Sequence, residues 1–175
     1  MSVYDDLFEI GRSLDHIEKT GMYDVEKYSC SLKHLTSQLE YFYCHLVPNG
    51  TGQSSSTFYH LHYRPKVHEL AYFNIGRGFP KELMDGHWCY ILKDLGYKML
   101  VVPCTSIKEN SKPCHPLFEM DIDVLMDHKK TRSRIQLSDI RSIDIQRLHV
   151  RKKFCEVLTD RQTILAFIQS NLFDA

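Results

Sequence analysis

Nine consecutive small or polar residues, Asn49-Gly-Thr-Gly-Gln-Ser-Ser-Ser-Thr57, divide the chain into two parts with different hydrophobic periods. Glycines and short hydroxyl side chains offer little apolar surface to bury and leave the backbone free, which predicts a flexible linker over 48–57. Before the linker, apolar residues recur every three or four positions. After it, they come in short runs broken by Gly, Pro and Asp. That division predicts a helical extension, residues 1–47, ahead of a strand-rich domain, residues 58–175.

In the extension, Leu7, Ile10, Leu14 and Ile17 lie on one helical face and Gly21 ends the pattern. Asp24 is placed to cap a second helix carrying Val25, Tyr28, Leu32, Leu35, Leu39, Phe42 and Leu46, which Pro48-Asn49-Gly50 stops. A pair of amphipathic helices cannot bury both apolar faces against itself. The face formed by Leu7, Leu14, Leu32, Leu35, Leu39 and Phe42 is therefore expected to pack on the neighbouring domain or on a second subunit.

Beyond the linker, strands are expected at 58–63, 69–75, 88–92, 98–102, 118–122 and 138–145, and a helix at 160–173. Many short strands with turn residues between them argue for a small barrel, closed at one end by the last helix. With 43% hydrophobic and 25% charged residues in 175, a core is available without disulfides. The six cysteines form no CxxC pair, and with no basic, apolar leader in Met-Ser-Val-Tyr-Asp-Asp they are expected to be reduced thiols of a cytoplasmic protein. No run of about 18 apolar residues predicts a membrane span. The zero net charge conceals an asymmetry: residues 1–57 hold 4 Lys/Arg against 8 Asp/Glu, and residues 58–175 hold 18 against 14. An acidic extension thus precedes a basic domain, the polarity of a domain that meets phosphates.

Two segments carry the functional signal. Ser133-Arg-Ile-Gln-Leu-Ser-Asp-Ile-Arg-Ser-Ile-Asp-Ile-Gln-Arg-Leu148 is an extended stretch with Ile140, Ile143 and Ile145 interleaved with charge, and Val101-Val-Pro-Cys-Thr-Ser106 is a buried strand ending in two hydroxyls. Together they resemble the PemK/MazF family of toxin endoribonucleases over about residues 67–175. The resemblance implies an α+β protein: a small SH3-like β-barrel with a C-terminal helix, here preceded by a helical hairpin. It further implies a metal-independent endoribonuclease that cleaves single-stranded RNA without a cofactor, the toxin of a type II toxin–antitoxin pair, working as a homodimer restrained by a cognate antitoxin.

The family commonly starts its second barrel strand with an Arg-Pro pair whose arginine contributes to catalysis. This chain has Gly86-His87-Trp88 there. A guanidinium holds its proton, whereas an imidazole exchanges one near neutral pH, so His87 becomes the candidate acid or base. Thr105 is the candidate partner for a phosphate oxygen, with Ser106 beside it. Arg77 and Lys81, in the Gly- and charge-rich loop 76–86, are expected to contact RNA. So are Lys129, Lys130, Arg132 and Arg134 of the densest basic run, with Tyr72, Phe79 and Trp88 available for base stacking. The alternative expectation, since the family arginine is missing, is a non-catalytic barrel that binds RNA or a protein partner. His60, His62, His68, Cys104, Cys114 and His115 match no zinc-ligand spacing, and no nucleotide-binding loop motif is present.

Overall fold

The computed structural model describes residues 2–54, 63–79 and 81–173. Most of the strand expected at 58–63 lies outside the described residues. Both helices of the extension form. Helix α1 (Val3–Thr20) opens on a Ser2–Asp5 capping box and ends at Gly21, whose φ of 64° is open to glycine without a Cβ penalty. Helix α2 (Val25–Tyr41) is capped by the Asp24 carboxylate, which accepts from Lys27 N at 2.9 Å. The helical path continues through a π turn, Phe42–Leu46, and a single turn, α3 (Val47–Asn49). Pro48 brings no N–H to this last stretch.

Seven antiparallel strands follow: β1 (Glu69–Gly76), β2 (Asp85–Asp94), β3 (Lys98–Ser106), β4 (Glu119–Met126), β5 (Lys129–Gln136), β6 (Arg141–Asp144) and β7 (Cys155–Val157). Six of them close into a barrel in the order β2-β1-β7-β4-β5-β3 and back to β2, while β6 pairs with the first half of β3. Closure removes the unpaired edges that an open sheet would expose. Helix α4 (Arg161–Leu172), capped by Asp160, seals the interior with Ile164 and Ile168.

Two cores flank the β1–β2–β3 sheet. Leu70, Tyr90, Val102, Ile122, Val124 and Ile135 fill the barrel interior. On the opposite face, Ala71, Phe73, Cys89, Ile91, Met99 and Val101 are covered by Ile143, Ile145 and Leu148. Burial on both faces is why Cys89 to Leu92 is an unbroken apolar run rather than an alternating one.

Two expectations need correction. The basic run 129–134, expected as a segment before the β6 region, is strand β5, paired with both β4 and β3. The strand expected over 138–145 is shortened to β6 by flanking 3-10 turns, and β7 was not anticipated. The barrel covers the apolar face of the extension only in part: Leu32 and Leu35 lie beside Asn74 and Arg147, yet no residue of α1 or α2 is buried, Leu7, Leu32 and Leu39 are exposed, and Leu14, Leu35 and Phe42 are half-buried. No described helix is long and apolar enough to cross a membrane. All six cysteines are free, but Cys30 and Cys44 are exposed on the extension rather than in a core.

Candidate functional site

Antiparallel pairing sets one row of polar side chains across the outer face of the barrel. Thr105 on β3 stands opposite Arg134 on β5, and Arg134 opposite Asp121 on β4. Continuing the Trp88–Cys104 register by one residue puts His87 of β2 opposite Thr105. Opposed residues in such a ladder share a face, so His87, Thr105, Arg134 and Asp121 form a single row over four strands.

His87 is half-buried, and its Nδ1 lies 3.0 Å from the Cys104 carbonyl oxygen. A carbonyl only accepts, so Nδ1 carries the proton of the neutral ring and Nε2 is left as an acceptor. Thr105 is also half-buried. Its Oγ1 accepts from Gln136 Nε2 at 3.2 Å, which leaves the hydroxyl proton free to donate. Gln136 is held in turn by Glu119 at 3.0 Å, and Ser133 Oγ donates to the Thr105 carbonyl at 3.4 Å.

Arg134 is buried and fully engaged. It makes a fork with Asp121, at 2.6 and 3.1 Å, and donates to the Lys112 carbonyl at 2.7 Å. The hydrogen bonds from Arg134 hold the Asp121 carboxyl below its ordinary range. Lys130 pairs with Asp123 at 2.9 Å and Arg132 with Asp121 at 3.2 Å. Much of the expected RNA-binding run is therefore a cross-strand ladder of charges answered by β4. Lys129, whose position opposes Met126, is exposed and has no carboxylate partner among the described residues. Arg77 is similarly engaged: it forks onto Asp85 at 2.8 and 2.8 Å, donates to the Asp24 carbonyl at 3.3 Å and lies over the Tyr23 ring. It ties the loop after β1 to the helical extension. Lys81 and Ser106 are exposed, as is Phe79.

The structure also brings in residues the sequence reading passed over. Arg141 shares the outer face through its pairing with Val101, and its Nε donates to the Asp139 carbonyl at 3.4 Å. The Cys89 thiol, two residues from His87, is pushed up mainly by burial, and the Arg141 charge opposes that rise. Asp139 also accepts from Leu83 N at 3.2 Å, which anchors the loop before β2 next to Arg141. The signal was in the Ile-Arg-Ser-Ile-Asp motif itself, where the arginine interrupts an apolar pattern. On the other side of the sheet, Tyr72 and Trp88 meet edge to face at 5.4 Å, and Lys152 lies over both rings.

The strands form a closed antiparallel barrel whose outer face carries the acceptor imidazole of His87 and the donor hydroxyl of Thr105 in one row, with Arg141 on the same face further along β3. No family model matches the chain, and no curated protein matches it.

Proposed function

We propose that this chain is a metal-independent endoribonuclease acting on single-stranded RNA, the toxin of a PemK/MazF-type toxin–antitoxin pair on an SH3-like barrel. The observation that carries the reading is the His87–Cys104 contact, which frees Nε2 as a proton acceptor in the row that also holds the Thr105 hydroxyl. In this reading His87 Nε2 takes the proton of a ribose 2′-hydroxyl. The 2′-oxygen attacks phosphorus, the P–O5′ bond breaks, and water protonates the departing 5′-oxygen. Thr105 donates to a non-bridging phosphate oxygen, and Arg141 contributes positive charge as the phosphorane forms.

The second reading, a barrel that binds RNA or a protein without cutting, is favoured by the engagement of Arg77 and Arg134 in internal ion pairs. Incubation with single-stranded RNA in EDTA, followed by end analysis, separates the two. The nuclease reading requires cut products ending in 2′,3′-cyclic phosphate or 3′-phosphate. Cleavage that vanishes on chelation and returns with Mg²⁺ contradicts it, and intact RNA that co-migrates with the protein supports the binding barrel.

A further inference from the structure

Several of the barrel's basic side chains are neutralised by ion pairs, but three consecutive ones in the loop before β7 are not. Arg64, Arg77, Lys130, Arg132 and Arg134 all pair with carboxylates, whereas Arg151, Lys152 and Lys153 form no ion pair among the described residues. Three adjacent cations repel one another, and an anionic ligand relieves that repulsion. These three line a cavity of about 610 Å³ between the loop before β7 and the tip of the β4–β5 hairpin. Trp88, Leu125, Met126 and Phe154 are its apolar lining, joined by His128; Asp127 and Glu156 are the acidic members. Its volume falls within the roughly 300–1,000 Å³ of ligand pockets.

Lys152 fixes the geometry. Its ammonium sits 4.3 Å from the Tyr72 ring centre and 5.8 Å from that of Trp88, and these rings are themselves in contact. A cation held over an aromatic pair beside an apolar cavity sets a phosphate-binding group next to a surface on which a planar base stacks. Neither Arg151, Lys152 nor Lys153 belongs to the His87–Thr105 row.

We infer that this cavity is a nucleotide subsite for single-stranded RNA: one unpaired base lies against Trp88 and Met126, and its phosphates are held by Arg151 and Lys152. The inference rests on the proposed RNA reading for the class of ligand and adds the position where a base outside the reacting bond is held. An unpaired base is required because the apolar lining contacts a base face, which a duplex hides in its stack.

Trp88 is the chain's only tryptophan and lines this cavity, so its emission follows what occupies the cavity. The test uses the full-length protein and a short single-stranded RNA with 2′-O-methyl riboses, which cannot be cut, following Trp88 emission and the anisotropy of the labelled RNA together. Expected are saturable quenching, and an Arg151→Ala/Lys152→Ala variant that binds about tenfold more weakly with a salt slope smaller by roughly 1 to 2. Anisotropy that reports binding with Trp88 emission unchanged, or equal quenching by a polyglutamate peptide or a duplex, overturns the subsite. Quenching without cleavage of ordinary RNA contradicts the nuclease reading and leaves the subsite standing; cleavage without quenching does the reverse.

Discussion

The Nδ1 of His87 lies 3.0 Å from the carbonyl oxygen of Cys104, on the neighbouring strand. That contact joins β2 to β3 one residue past the Trp88–Cys104 pair on β2 and fixes which ring nitrogen is available for chemistry. The network behind Thr105 works in the same way, since Gln136 orients the hydroxyl and Glu119 orients Gln136. Both side chains of the proposed centre are thus positioned by the barrel rather than by a mobile loop, the arrangement that gives precise sites.

The buried fork between Asp121 and Arg134 supports that row, and its loss should be felt in stability. Asp121→Asn leaves the guanidinium short of its main counter-charge and is expected to cost about 3 kcal/mol in urea-induced unfolding. The pH dependence follows from the depressed carboxyl of Asp121. The pair contributes fully above the unfolded carboxylate value of about 3.9 and is lost as pH falls through the lower folded value. The wild type should therefore lose stability over that acid range more steeply than Asp121→Asn; parallel curves would show that the pair contributes nothing.

Neither core draws a buried residue from the helical extension. A chain beginning at Tyr63 should remain folded and melt cooperatively, with a melting temperature lowered by roughly 5 °C through loss of the Arg77 contacts with Asp24 and Tyr23. A broad transition, or binding of a hydrophobic dye by the truncated chain, would show that the extension completes the fold.

The thiols sort by environment. Burial pushes Cys104 up to about 12 and Cys155 to about 11, and raises Cys89 as well, so these three should resist a thiolate-specific reagent until the protein unfolds. Cys30 and Cys44 are exposed and should react at once. Early modification of Cys89 or Cys104, located by peptide mapping, would contradict the packing of β2 on β3.

Gly86 lies against the Tyr72 ring, and an added Cβ would come within 2.6 Å of Tyr72 Cζ. The ring has little room to move, since Trp88, His149 and Lys152 surround it. Gly86→Ala should cost about 1–3 kcal/mol and shift Trp88 emission. Unchanged emission and stability would mean that the aromatic pair is loosely held.

What the sequence disclosed, and what it hid, follows from pattern. Gly21 and Asp24 act as local signals at helix ends, and the extension's helices begin and end close to where Gly21, Asp24 and Pro48 place them, whereas the caps at Ser2 and Asp160 emerged only from the fold. β5 was illegible because its first four residues, Lys129 to Arg132, are all exposed and polar, so no apolar alternation marks a strand. Its hairpin also turns on Asp127-His128, with φ of 48° and 63°, where the usual signal is a glycine. The same blindness affected the site: Arg134 and Lys152 are both basic residues in basic runs, and only the fold distinguishes the one locked onto Asp121 from the one poised over Trp88.

The most direct test of the account is the rate at which His87→Ala, His87→Arg and Thr105→Ala cut single-stranded RNA in EDTA, with circular dichroism confirming the fold. If Nε2 of His87 is the proton acceptor, His87→Ala and His87→Arg should each fall by about 10²-fold or more, and Thr105→Ala should fall by a comparable factor. Wild-type rates for His87→Ala would remove the imidazole from the chemistry, and full activity in His87→Arg would show that position 87 supplies charge rather than proton transfer.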